Sequence, residues 1–323
     1  MPWSVQAPSS VVMIRPHFFA PNPETALDNA FQQIPGCRDR DVMSASAHAE
    51  VTAMARLLEA QGVNVHLFEN ESRSNLDAVF PNNWFSTHAG GHVAIYPMYS
   101  PSRRAERRVD VIEMLKRCYR VQDIIDYSGL EEDDIFIEGT GGMVLDHIGR
   151  VAYAARSNRL SDVALERFCT HFNFEPMVFD TATPAGRPVY HTNVVMSIGT
   201  HFALVGMDLI TDPVRQNTIT KRLEETGRKV IKLDYHQVMA FAGNAIELQG
   251  SDHRFLAMSS RGLDSLRAEQ RRAIEATVPI VAIDVPTIEL AGGSVRCMVA
   301  GIHLSPRAEA SENQRQDGAL VVI

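Results

Sequence analysis

Five stretches of this chain share one form. They are FPNNWFS at 80–86, EGTGGMVL at 138–145, YHTNVVMS at 190–197, FAGNAIEL at 241–248 and AGGSVRCM at 291–298. Each has an apolar lead, a kink rich in Gly or Asn, and a short apolar strand. The last Gly or Asn before each strand is Asn83, Gly142, Asn193, Asn244 or Gly293, at intervals of 59, 51, 51 and 49 residues. Self-similarity at a fixed period constrains a fold more than any single motif does. After the first four kinks comes a second apolar strand: HVAIYPM, RVAYAA, HFALVGM and RFLAMS. Helical patterns follow at 103–120, 160–172, 212–226 and 262–277, as in the spacing of Val109, Ile112, Leu115 and Tyr119. Further strands such as KVIKLDY (229–235) and PIVAIDV (279–285) close the units.

The repeated unit is strand–strand–helix–strand. The N-terminal VVMIRP supplies the missing strand of the fifth copy. Five like units close more readily into a ring than into an open sheet, and their kinks then converge on one axis. Gly and Asn suit the kinks because both tolerate positive φ and close backbone approach. The expected fold class is α/β, a five-bladed α/β propeller forming a single domain over residues 1–323.

Composition agrees with a globular chain that buries a large core: 45% hydrophobic, 22% charged, formal net charge −8. No basic patch dominates, so nucleic acid and anionic membranes are not the expected partners. The densest basic run, RRAERR at 103–108, reads as the solvated face of a helix. No apolar run reaches the roughly 18 residues that span a bilayer. MPWSVQAPSS has neither the basic nor the apolar region of a signal peptide. Cys37, Cys118, Cys169 and Cys297 are far apart and form no CxxC, which fits free thiols in a cytoplasmic protein. Cys118 and Cys169 fall on helices and read as core thiols; Cys37 lies in a loop. The chain has no HExxH and no cysteine pair, so no zinc site is expected. GTGG follows a strand but leads into another strand, which argues against a dinucleotide site. Tyr190 and Trp84 flank site candidates, and packing alone accounts for them.

The kinks also organise the reactive residues. Cys297 lies four residues after its kink, Glu138 four before its own, and His191 two before. A nucleophile, a base and a carboxylate thus occupy comparable places in three units. Their convergence in one cleft is the pattern of covalent catalysis.

In order and coverage these segments resemble the guanidine-modifying, or pentein, superfamily. FIEGTGG is similar to its acidic Gly-Gly segment, YHTN to its His-x-Asp segment and GGSVRC to its C-terminal nucleophile segment. LDAVFPNNW resembles the N-terminal substrate segment, and SPSRR and ARSN resemble arginine-bearing segments. MIRPHFFAPNPETALDNAFQ with VFPNNWFSTH resembles most the citrulline utilisation hydrolase branch. The resemblance implies a cofactor-free and metal-free hydrolase in which Cys297 attacks a guanidino or ureido carbon. It implies that His191 shuttles protons and that Glu138 orients the substrate. Arg156 matches an arginine that holds the substrate carboxylate, Arg103 matches a second one, and Asp77 matches a carboxylate at the polar end of the substrate. It also leaves a homodimer open.

The departures from that pattern bear on substrate. Superfamily members often meet a guanidinium with carboxylates, because a planar cation pairs with them bidentately. Here those positions hold Asn83, preceded by Asn82, and Asn193. An amide both donates and accepts, which suits a neutral ureido group. The expected substrate is therefore a small amino acid such as citrulline, yielding ornithine, carbon dioxide and ammonia. An arginine or dimethylarginine hydrolase, an amidinotransferase and a non-catalytic binding protein of the same fold are the alternatives.

Overall fold

The computed structural model describes residues 5–33 and 39–307, so Cys37 lies outside the described residues. The strands form five three-stranded sheets. One joins β15 (Ala300–Gly301), β1 (Ser10–Pro16) and β2 (Asn64–Asn70). The others join β3 (Phe85–His88), β4 (His92–Ile95) and β5 (Asp123–Asp126), then β6 (Met143–Asp146), β7 (Val151–Ala155) and β8 (Glu175–Phe179). The last two join β9 (Met196–Ile198), β10 (Phe202–Val205) and β11 (Lys229–Lys232), and β12 (Ile246–Gln249), β13 (Arg254–Ser259) and β14 (Ile280–Ile283).

In every sheet the central strand runs antiparallel to the first and parallel to the third. An antiparallel neighbour needs only a tight turn, whereas a parallel one needs a crossover. The crossovers are helices: Arg40–Ala60, Val109–Cys118, Asp162–Phe172, Pro213–Glu225 and Ala268–Glu275. The N-terminal β1 pairs with β15, so the repeat counted as fifth is completed from the other end of the chain. Central strands read as unbroken apolar runs because both faces are covered; all of Val151–Ala155 is buried.

Two local expectations fail. Val109 is 76% exposed, and the buried face of its helix carries Val111, Ile112 and Leu115. The run RRAERR is not a solvated face. Pro101–Glu106 is a short 3-10 helix that buries Arg103 and Glu106.

The kinks are short helical turns in three of the units, Pro81–Asn83, Gly139–Gly142 and Thr192–Val195. None of the five kink residues has a positive φ; that conformation falls on Gly139, Phe241 and Gly292 instead. Close approach accounts for much of the composition. A Cβ on Gly141 would lie 2.3 Å from Asn83 Nδ2 and 2.8 Å from His191 Nδ1. One on Gly293 would lie 2.7 Å from Phe80 Cε1. Asn244 donates from Nδ2 to the Asn193 carbonyl at 2.9 Å and accepts the Arg296 N–H at 3.1 Å. The turns therefore touch in succession, and the fifth returns to the first.

Candidate active site

The touching turns bring Cys297, His191 and Asn83 to the wall of one cavity, with Asp77, Arg103 and Arg159 beside them. Thr25 and Asn29, from the segment after β1, complete the wall together with Phe80, Tyr190, Ala291 and Gly293.

Cys297 follows the Gly292–Gly293 turn, with its N–H bonded to the Ser294 carbonyl at 2.9 Å. Two amides converge on its sulfur: Asn193 Nδ2 donates at 3.3 Å and Asn244 Nδ2 at 3.2 Å.

Glu138 is fully buried behind the wall. Its Oε2 meets His191 Nε2 at 2.8 Å, Arg103 Nη1 at 3.3 Å and Arg159 Nη1 at 3.4 Å, while Oε1 accepts the Tyr99 N–H at 3.1 Å. Burial alone would raise its pKa. Arg159, the His191 hydrogen bond and Arg103 outweigh that and hold the carboxyl well below its ordinary range. His191 goes the other way: burial lowers it to about 4 against the opposing pull of Glu138. At neutral pH the pair is an anionic carboxylate and a neutral imidazole, ready to accept a proton.

Arg103 is held bidentately by Glu106, with Nε at 3.1 Å and Nη2 at 2.9 Å, and also donates to Asn83 Oδ1 at 3.0 Å. Burial pushes the Glu106 carboxyl up to about 7 against the pull of Arg103. Asp77 accepts from Asn22 Nδ2 at 2.9 Å and stands 3.7 Å from Arg103 Nε.

The sequence candidates divide accordingly. Cys297, His191, Asp77, Asn83 and Arg103 line the cavity, with Glu138 and Asn193 immediately behind. Asn82 is also behind it, bonded through Oδ1 to Asn83 Nδ2 at 3.2 Å. Arg156 does not join them. It is exposed at the end of β7 and paired with Asp162 at 3.0 Å and Asp180 at 3.1 Å. Arg159 takes the inward place. It is held by Asp28, lies 4.8 Å over the Tyr190 ring, and reaches the cavity because residues 157–160 turn back. Glu138 and Arg159 sit side by side, the Glu138 N–H bonding the Arg159 carbonyl at 3.1 Å. The linear sequence does not reveal that pairing. Nor does it assign a role to Asn244, although Asn244 is one of the five kink residues.

No cavity residue belongs to a cluster with metal-ligand spacing. Among the described residues such a cluster occurs at the surface, as His17, His48 and Glu69, where Glu69 is paired with Arg15. No described helix is long and apolar enough to cross a membrane.

A thiol, a neutral imidazole backed by a carboxylate, and fixed cations around one cavity define a cysteine-dependent enzyme of the covalent type. A family model described as N,N dimethylarginine dimethylhydrolase, eukaryotic, matches residues 15–304, and the chain belongs to that family, a hydrolase of carbon–nitrogen bonds outside peptides. No curated relative matches by sequence.

Solved structures share the fold. Product-bound N-terminal domain of ArgZ, an arginine dihydrolase from the ornithine-ammonia cycle in cyanobacteria, superposes with a TM-score of 0.71 at 15% identity, covering 91% of this chain and 97% of that one. Unliganded AgrE gives 0.72 at 15% identity over 93% of this chain and 40% of its own. A dimethylarginine dimethylaminohydrolase adduct gives 0.61 at 13% identity, over 91% and 99%. All three likenesses are of fold, within the pentein superfamily.

Proposed function

We propose that this chain hydrolyses citrulline to ornithine, ammonia and carbon dioxide, as a member of the citrulline utilisation hydrolase branch. We also infer that the five sheets are blades of one closed propeller, since their turns touch in an unbroken cycle. The observation that carries the substrate reading is the charge of the cavity wall. Among the described residues lining it, Asp77 is the carboxylate and Arg103 and Arg159 are guanidinium groups. A cationic head group entering this wall meets two like charges close up. A neutral ureido group does not, and Arg159 remains placed to bind a substrate carboxylate in a charge-assisted pair.

In the proposed reaction His191 takes the thiol proton as Cys297 sulfur adds to the ureido carbon. Glu138 stabilises the resulting imidazolium, and Asn193 and Asn244 keep the sulfur aimed. The tetrahedral intermediate collapses as His191 returns the proton to the departing ornithine nitrogen, leaving an S-carbamoyl cysteine. Water, deprotonated by His191, attacks that carbonyl and releases the thiolate together with carbamic acid, which yields ammonia and carbon dioxide.

A guanidino amino acid is the second reading, favoured by a specific feature. The wider cluster sets Asp28, Asp77, Glu106 and Glu138 against Arg103 and Arg159, an excess of carboxylates that suits a cation. The family model and the ArgZ fold neighbour point the same way. The deciding experiment incubates the protein with citrulline, arginine and dimethylarginine and quantifies ornithine, citrulline and ammonia. The proposal expects equimolar ornithine and ammonia from citrulline. Untouched citrulline beside citrulline formation from arginine or dimethylarginine would overturn it. A repeat with an added acceptor amine exposes amidino transfer.

A further inference from the structure

A second cavity shares no residue with the first. The first strand of every sheet contributes to its wall, through Ser86, Leu145, Ser197, Glu247 and Ala300. It therefore lies where the five sheets converge. Its volume of ≈ 50 Å3 holds a few waters at roughly 10–15 Å3 each. That suits a small ion and excludes a nucleotide.

Among the described residues, the wall carries one carboxylate, Glu247, and one guanidinium, Arg296. Arg296, next in sequence to Cys297, lines the cavity and is partly buried. Its guanidinium donates to the Val299 carbonyl at 3.0 Å and, among the described residues, has no carboxylate partner. The buried arginines elsewhere differ: Arg103 faces Glu106, Arg159 faces Asp28 and Arg228 faces Asp146. Burial lowers Arg296 only to about 10, so it stays a cation at neutral pH. A guanidinium withdrawn from water without an anion is costly.

Beside it, the rings of His147 and His303 stack with centroids 4.0 Å apart, and both line the cavity. The Ser197 hydroxyl, on a residue only 6% exposed, points no hydrogen bond at any described group. The carboxylate in the wall, Glu247, is already engaged. Its Oε2 accepts the Thr200 N–H at 2.7 Å and hydroxyl at 2.6 Å, and its Oε1 accepts from Arg254 at 3.2 Å. The His303 ring donates to the Val5 carbonyl, so an unpaired cation, the His147 imidazole and an unused hydroxyl are the donors around a space of this size.

We propose that this axial cavity binds a small inorganic oxyanion of the phosphate or sulfate type, seated on Arg296 with His147 and Ser197 as further donors. The site stands independently of the substrate assigned to the catalytic cavity.

The test is thermal unfolding of the full chain in sodium phosphate and in sodium sulfate, against sodium chloride at matched ionic strength. The expected result is a rise of about 3 °C with either oxyanion that grows with the logarithm of its concentration, since a ligand that binds only the folded chain stabilises it by RT ln(1 + L/Kd), L being the free ligand concentration. Cys297→Ala should keep the rise and Arg296→Gln should lose it. Ser197→Val, which places a methyl group where the hydroxyl stood, should lose it too, and serves if Arg296→Gln does not fold. Identical curves in phosphate, sulfate and chloride overturn the proposal, as does a rise that grows linearly with salt concentration, the mark of general exclusion from the surface. So does a rise that survives Ser197→Val and disappears in Arg159→Ala, which would put the anion in the catalytic cavity.

Discussion

The side-chain amide of Asn244 joins two functions: Nδ2 donates to the Cys297 sulfur at 3.2 Å, and Oδ1 accepts the N–H of Arg296 at 3.1 Å. It thereby fixes both the sulfur and the backbone one residue before it. Replacing Asn244 by Ala removes these bonds and the one to the Asn193 carbonyl. Each is worth about 0.5–1.5 kcal/mol, so the expected result is a stability loss of about 2 kcal/mol and a kcat lower by about 10- to 100-fold. Urea unfolding and steady-state kinetics on the same preparation measure both. An unchanged kcat would show that the sulfur does not need this amide.

Cys297→Ser should abolish turnover and leave the unfolding midpoint nearly unchanged, because a hydroxyl is a far poorer nucleophile at neutral pH. Cys118→Ser should do the reverse and touch stability more than rate. Near-normal turnover in folded Cys297→Ser protein would end the covalent mechanism.

The arginine pair separates geometry from sequence expectation. Arg159→Ala should raise KM by about 10- to 150-fold, through loss of a charge-assisted contact of roughly 1.5–3 kcal/mol. Arg156→Ala should leave KM within about twofold, since Arg156 is solvated and engaged with Asp162 and Asp180. The opposite ranking would return the carboxylate anchor to Arg156.

By sequence, Asn193 reads as a selector of substrate charge. Its amide also donates to the Cys297 sulfur at 3.3 Å. Asn193→Asp should therefore place a carboxylate against the nucleophile and lower kcat by about 100-fold or more on citrulline and arginine alike. A gain on arginine alone would support the selector reading.

Stability should rise between about pH 4.5 and 6.5. Burial holds His66, His191 and His303 at about 4, and pushes His88 and His147 well below the ordinary histidine value. In that window the unfolded chain binds protons that the folded chain refuses, so acidification favours unfolding. Glu106, raised to about 7, and Glu50 and Glu289, also raised by burial, oppose this but are fewer than the histidines. Each proton refused across one pH unit is worth about 1.4 kcal/mol, so the gain should exceed about 2 kcal/mol, read as the urea midpoint across pH. A midpoint that falls with rising pH would contradict the buried, neutral histidines.

The sequence reached the repeat, the strand order and the trio of Cys297, His191 and Glu138, because turn residues and strand periodicity are local and recur in register. It did not reach Arg159. Arg156 and Arg159 are three residues apart in one loop, and which of them turns inward depends on segment 157–160 bridging back on itself and on Ile137, a non-local pairing. The face of RRAERR was lost for a similar reason. Arg103 and Glu106 satisfy one another in the interior, and charge alone reads as solvation.

The pairing of β15 with β1 has a consequence for biosynthesis. Cys297 precedes β15 by three residues, and β15 finds its partner strand near the start of the chain. Everything from β1 to β15 must therefore be made before the thiol can be fixed opposite His191. Contacts between such distant segments are the slow ones to form, so catalytic competence should follow the synthesis of β15 and its pairing with β1.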